Sequence, residues 1–242
     1  MRTPLLPLVL GLAAALGGCV TAPSALRAPP AGPATVAADA KAQRMKKIAA
    51  LQRKGHNVAV DFLDPELLII GADLRGLRHA GAVLDSLGPL TKVRLLNLYN
   101  TGFTDADLGR LRVAVSLQEL NLNSTKVTDA GLAVLQALPD LRELDLNDTA
   151  VTNTGLQYLR RLSTLQRLTL FRARVTDDGL AHLHALVNLQ KLTLGGPGIT
   201  DRGLAYLKGM HSLRELNLVG TTVTGAGVED LHKAMPKLKI VR

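Results

Sequence analysis

Four aspartates stand behind a threonine at a recurring place in the chain: Asp105, Asp129, Asp177 and Asp201. A stack of carboxylates at constant spacing could hold calcium, a hard cation that takes roughly six to eight oxygen ligands. The ladder is broken by Asn153 and Gly225, however, and each Thr-Asp pair directly precedes a pair of helical leucines. Thr and Asp at such a place cap helix starts, and capping accounts for them better than metal. The six histidines are 56, 79, 182, 184, 211 and 232. His182 and His184 lie two apart on an expected helix, so they do not share a face. The sequence has no glycine-rich phosphate loop, no serine elbow and no His-Glu-x-x-His. Cys19 is the only cysteine, which leaves no disulfide framework and no thiolate zinc site. The residue types therefore predict neither an enzyme nor a bound cofactor or metal.

These residues sit in a repeat. Val93, Leu117, Leu141, Leu165, Leu189 and Leu213 follow one another every 24 residues, with leucines three and five positions after each. In the second half of the unit, Val127-Thr-Asp-Ala-Gly-Leu132 recurs as Val175–Leu180 and Ile199–Leu204, with looser copies from 103, 151 and 223. A further leucine follows three residues on each time, from Leu111 to Leu231, a helical spacing. Each unit is thus a strand, a turn and a short helix. Ile69, Ala72, Leu74, Leu84, Leu87 and Leu90 fall in the same register as a worn first unit, as the end of a stack demands. Leu238 opens a closing strand after a 25-residue step. Thr101, Thr125, Thr149 and Thr221 mark where the chain leaves the strand, and their hydroxyls are expected to satisfy backbone groups between coils. Ala173 and Pro197 interrupt that series.

The pattern resembles the bacterial leucine-rich repeats that carry Val-Thr-Asp-x-Gly-Leu. It is also similar to the cysteine-containing repeat class, with threonine in place of the cysteine. The resemblance covers residues 69–242. It implies an α/β solenoid: a right-handed horseshoe with a parallel sheet on the concave face and short helices on the convex face. Proteins of this kind share a scaffold rather than a chemistry, and binding is the function the scaffold implies. Composition agrees with a solenoid. Of 242 residues 47% are apolar but only 2% aromatic, with no tryptophan, so the core must be built from leucine.

The first 55 residues carry eight basic side chains against Asp39 alone, leaving 21 basic and 19 acidic for the rest. The net charge of +9 thus belongs mainly to the N-terminal arm, and the nearly balanced body argues against a nucleic-acid partner. Arg2, the apolar run Leu5–Leu16 and then Leu16-Gly-Gly-Cys19 resemble a bacterial lipoprotein signal. That likeness implies a signal peptide over 1–18, a lipidated Cys19 and anchoring in the cell envelope. Val20 after the cysteine favours the outer membrane by the same likeness. Residues 19–38, rich in Ala and Pro, are expected to be a tether. Residues 39–68 are expected to cap the stack: a helix from about Ala40 to Lys54 with Asp39 as its cap, then a strand with Val58, Val60 and Phe62 alternating. The helix's other face is basic, which suits either solvent or anionic lipid.

In such a solenoid the residues between the strand leucines face outward. One row is Leu95, Glu119, Glu143, Arg167, Lys191, Glu215; the next is Asn97, Asn121, Asp145, Thr169, Thr193, Asn217; beyond it lie Tyr99, Asn123, Asn147, Phe171, Gly195, Val219. Tyr99 and Phe171 stand out among only six aromatics, and Arg167, Phe171, Arg172 and Arg174 cluster in one unit. Aromatic and arginine anchors are typical of binding hot spots. The expected ligand site therefore comprises Tyr99, Asn121, Asn123, Asp145, Asn147, Arg167, Phe171, Arg172 and Lys191. Eight strands about 4.8 Å apart span roughly 34 Å, and about 16 Å of strand gives some 540 Å². That is less than the roughly 800 Å² per partner of a standard interface. A monomer binding a peptide or protein loop is expected; a structural or adhesive role on cell-wall glycan is the alternative.

Overall fold

The computed structural model describes residues 33–242 apart from 65 and 67. The expected signal peptide, Cys19 and most of the expected tether lie outside the described residues. The first element is helix α1, Pro33–Arg53, which runs into β1, Asn57–Val60. Helix α1 thus starts six residues before Asp39, within the stretch expected to be tether. Proline is tolerated in the first turn of a helix, where its missing N–H has no intrahelical partner to lose. Of the apolar residues of α1, Ile48 is buried and Met45 and Leu51 pack partly against the core, while Ala42 and Ala49 stay exposed.

The repeat units follow in order: β2 (Ile69–Asp73), α2 (Ala80–Leu87), β3 (Leu95–Asn97), α3 (Asp105–Leu108), β4 (Glu119–Asn121), α4 (Asp129–Leu132), β5 (Glu143–Asp145), α5 (Asn153–Leu159), β6 (Arg167–Phe171), α6 (Asp177–Leu180), β7 (Lys191–Gly195), α7 (Asp201–Leu204), β8 (Glu215–Asn217), α8 (Gly225–Ala234) and β9 (Lys239–Val241). Several one-turn helices continue as tighter 3-10 turns, such as Gly109–Val113 and Ala133–Ala137. One sheet of nine strands runs in sequence order. From β2 to β9 every pair is parallel and advances by 24 residues, with Leu96 beside Leu120, then Leu144, Leu168, Leu192, Leu216 and Ile240. The last step in the sheet is also 24, so no residue is added between β8 and β9: Ile240 takes the place of Leu216, and Leu238 sits one position past that of Leu213. The capping strand β1, for which the sequence set no direction, pairs antiparallel with β2. A short loop allows that hairpin, whereas a parallel pair needs a crossover of a dozen or more residues. Phe62, expected to continue the β1 alternation, lies beyond the strand and is 76% exposed.

The core is a column of aliphatic side chains. Leu98, Leu122, Leu146 and Leu165 are fully buried, as are Leu111, Leu135, Leu159, Leu183 and Leu207 from the helical half. Ile69, Ala72, Leu74, Leu84, Leu87 and Leu90 of the first coil join them, in register with the later units. Each buried leucine contributes roughly 1.5–3 kcal/mol of transfer free energy, which is how coils of 24 residues hold without tryptophan.

Candidate functional site

The Thr-Asp ladder is structural, with a division of labour that the spacing alone did not show. Thr128, Thr152, Thr200 and Thr224 are the helix N-caps, and their hydroxyls accept from backbone N–H groups in the first helical turn. The aspartate instead reaches into the following coil. Asp105 accepts the Thr128 N–H at 2.8 Å and the Thr128 hydroxyl at 2.6 Å. Asp129 does the same for Thr152, Asp177 for Thr200 and Asp201 for Thr224. Asn153 keeps the geometry with its carboxamide: its oxygen accepts from the Thr176 N–H and its nitrogen donates to the Thr176 hydroxyl. The glycine of the motif makes room. A Cβ at Gly131, Gly155, Gly179, Gly203 or Gly227 would lie 2.1–2.4 Å from the acid or amide oxygen of the coil before. At the first junction the two residue types trade places. Gly81 stands at the aspartate position, and Asp107, at the glycine position of the next coil, fills the same space and accepts from its own Thr104.

Both oxygens of each ladder carboxylate accept from donors of the following coil. Among the described residues there is no group of three or more His, Cys, Asp or Glu able to hold a metal. Thr101, Thr125, Thr149 and Thr221 are likewise structural, but within their own coils rather than between coils. Each hydroxyl donates to the carbonyl of the leucine three residues back, just past the strand, at 2.6–2.8 Å.

The outward rows lie on the exposed face of the sheet, and many of their polar atoms serve the backbone. Asn121 accepts the N–H of Asn123, and Asp145 accepts the N–H of Asn147 and the hydroxyl of Thr169. Asn147 accepts the N–H of Phe171 in the next coil, and Asn123 accepts the Ser124 hydroxyl. These bonds shape a turn in which the chain passes through a left-handed residue at the same place in every coil: Gly76, Asn100, Ser124, Asp148, Arg172, Gly196 and Gly220.

The fourth-unit cluster is less open than its composition suggests. Arg167 forms an ion pair with Glu143, and Arg172 lies 3.7 Å from Asp148 while stacking over the Phe171 ring at 5.2 Å. Phe171 itself is half-buried against Gly195, where a Cβ would come within 2.2 Å of the ring. Lys191 pairs with Glu215 at 2.9 Å. Both pairs are exposed to solvent, so screening by water leaves each a minor part of what holds the fold. Tyr99 keeps 43% of its surface in solvent.

Two shallow grooves cross the sheet. The larger, about 330 Å³, is lined by Leu95, Asn97, Glu119, Asn121, Glu143, Asp145, Arg167 and Thr169. The second, about 220 Å³, runs past Arg167, Thr169, Lys191, Thr193, Glu215, Asn217 and Lys239. The first is acidic over β4 and β5, and the second is mixed with a basic bias. Partial burial disfavours the charged form of Glu143 and lifts its pKa above the usual glutamate range; Arg167 opposes this and the adjacent Glu119 adds to it. A hydrogen bond from Lys191 holds Glu215 below its usual range. Of the expected site residues, the structure thus brings Asn121, Asp145 and Arg167 into one groove and Lys191 into the other. Tyr99, Asn123, Asn147, Phe171 and Arg172 lie along the turn beside them. Leu95, Glu119 and Glu143 line the larger groove but were not among the selected residues, although they occupy the same outward row as Arg167 and Lys191.

A family model described as leucine-rich repeat matches residues 114–135, 137–159 and 209–231. No curated protein matches the sequence. Among solved structures, internalin C2 from Listeria monocytogenes is similar at 22% identity and a TM-score of 0.57, over 71% of this chain and 70% of that one. A second internalin of Listeria monocytogenes, inlF, is similar at 20% identity and a TM-score of 0.51, over 82% of this chain and 67% of that one. Together with the coil geometry, these matches make the fold a leucine-rich-repeat solenoid. At such identities the likeness is one of fold.

Proposed function

We propose that the protein is a non-enzymatic binding scaffold of the bacterial envelope, anchored through Cys19, that holds an extended peptide or protein loop against its sheet. The groove over β3–β6 carries this proposal. It offers an exposed leucine, Leu95, followed along the same row by Glu119 and Glu143. An apolar wall beside carboxylates suits a segment with one apolar side chain and basic residues next to it. The area of the sheet face favours a segment of that size over a broad flat partner. Anchoring rests on the lipoprotein-like N-terminus, since among the described residues no helix is long and apolar enough to cross a membrane.

The test is capture from envelope extracts and titration with lysine-rich peptides, comparing the parent with Glu119→Lys/Glu143→Lys and Leu95→Asp. Arg167→Ala and Arg172→Ala probe the fourth unit. Loss of affinity by about tenfold or more in the acidic-groove variants is expected, from reversal of two facing charges. Unchanged capture by all of them would refute the sheet face as the site. Co-sedimentation with purified peptidoglycan that survives these changes would favour the adhesive, glycan-binding alternative. Mass spectrometry of the mature N-terminus reads the anchor separately, and an unmodified Cys19 would refute it.

A further inference from the structure

The hairpin loop between β1 and β2 presents two large apolar side chains to solvent at its tip, Phe62 at 76% exposure and Leu63 at 96%. Residues 61–64 are held in place. Lys92 bridges its two flanking acids, 3.3 Å to Asp61 and 2.6 Å to Asp64, and Asp61 accepts the backbone N–H of Leu63. The tip is therefore built to stand out, although burial of Phe and Leu is the ordinary outcome. Helix α1 is fastened to the same loop, since Arg44 donates to the Glu66 carbonyl at 2.6 Å. Ile48 fixes which face of α1 meets the body. At 100° per residue, Lys46, Lys47, Arg53 and Lys54 then fall on the outer face, where all four are exposed. None of the four has an ion pair among the described residues, and Asp39 is the one acid of α1.

The braced tip and the unpaired basic face of α1 both belong to the N-terminal end of the stack, and together they suit one surface chemistry: anionic phosphate headgroups above an acyl interior. We propose that the Phe62–Leu63 tip and the outer face of α1 form a membrane-docking surface for an anionic bilayer, with Phe62 and Leu63 entering the interface and the lysines lying over phosphates. The setting rests on the envelope placement proposed above, but the contact itself does not need the lipid on Cys19. In an anchored chain it would orient the solenoid, because the tip and α1 both belong to the N-terminal end of the stack.

The experiment uses the full chain with Cys19→Ser, so that no acyl group or native thiol remains. An environment-sensitive fluorophore is placed on Leu63→Cys, and in a second protein on Val219→Cys, which is exposed about six coil spacings, or roughly 29 Å, away. With phosphatidylglycerol-containing vesicles, the label at 63 is expected to shift to the blue and be quenched by lipid-borne quenchers. The label at 219 is expected to do neither. Lys46→Gln/Lys47→Gln should weaken vesicle affinity about 30-fold, at about fivefold per basic side chain near an anionic surface. A chain held to vesicles with no shift at 63, an equal shift at 219, or an equal shift on phosphatidylcholine vesicles overturns the proposal. So does a shift at 63 that appears without lipid and grows with protein concentration, which would assign the tip to a second copy of the chain. An unmodified Cys19 in the envelope protein would refute the anchor and leave this measurement unchanged.

Discussion

The contact between Asp177 and Gly203 makes a quantitative prediction about coupling. Asp177 is buried, and it accepts from the Thr200 N–H at 2.8 Å and the Thr200 hydroxyl at 2.6 Å. Removing it with Asp177→Ala takes away two bonds to a charged acceptor and leaves the Thr200 N–H without that partner. The expected loss is about 2–3 kcal/mol, taking the lower end per bond because Thr200 is only part-buried. In Gly203→Ala the new Cβ falls 2.3 Å from the same carboxylate oxygen, about 1 Å closer than contact allows. The carboxylate must retreat and both bonds stretch past hydrogen-bonding range. About 1 kcal/mol returns because alanine favours helix over glycine, so the net cost is about 1–2 kcal/mol. In the double variant the clashing oxygen is gone, the helix gain remains, and only a 3.0 Å approach to the Leu180 methyl opposes it. The double variant should then cost no more than Asp177→Ala alone, giving a coupling of about 2 kcal/mol between the sites. Urea denaturation followed by far-ultraviolet circular dichroism measures it. In heat the effect is about 4–8 °C for a domain of this size. Additive losses within about 0.5 kcal/mol would refute the claim that the glycine exists to seat the acid.

Other consequences can be read by the same unfolding assay. Thr125→Val removes the 2.6 Å bond to the Leu122 carbonyl and is expected to cost about 1–2 kcal/mol, whereas an exposed Thr→Val change is near neutral. Arg172 holds a left-handed φ of 56° without a glycine, so Arg172→Gly should stabilise by about 0.5–1 kcal/mol; a loss would mean that its contacts with Phe171 and Asp148 outweigh the backbone strain. Gly195→Ala drives a Cβ to 2.2 Å from the Phe171 ring and should cost about 1–3 kcal/mol, relieved when Phe171→Ala is added. Binding in the larger groove should depend on pH. Burial raises Glu143, so on acidification it loses its charge above the ordinary glutamate range, and affinity for a cationic peptide should fall there. Glu143→Gln should flatten that part of the profile, and a parent profile already flat would contradict the assignment.

What the sequence made legible was whatever the coil repeats. The leucine positions recur at one step because each fills the same place in the column, so register and core could be counted before any coordinate. The Thr-Asp-x-Gly pattern was visible too, but its partners were not. A carboxylate beside a helix start has a local use as a cap, and nothing in one coil says that it bonds 23 residues ahead, as Asp129 does with Thr152. The candidate site was harder still. Arg167 and Phe171 read as anchors because composition marks them, yet whether a side chain is free depends on its lateral neighbours. Glu143 answers Arg167, and Gly195 receives the Phe171 ring. In the end unit the capping helix and strand were legible, but the earlier start of α1, the antiparallel pairing of β1 and the exposed Phe62–Leu63 tip were not, because these features occur once and no periodicity frames them.

The acid-to-glycine fit between coils also bears on how such a chain can lengthen. From the coil of Asp105 onward, each 24-residue unit brings one acid or amide for the coil ahead and, from Gly131 onward, one notch for the coil behind. A duplicated middle unit would meet its neighbours with the fit already made, so tandem gene duplication needs no compensating change. The first junction is different, because Gly81 and Asp107 have exchanged places. Copying the coil of Asp107 alone would set Asp105 against Asp107, and copying the coil of Gly81 alone would set Gly81 against Val83. The interior junctions can thus accept another copy of a coil, whereas the first two coils fit each other only as a pair.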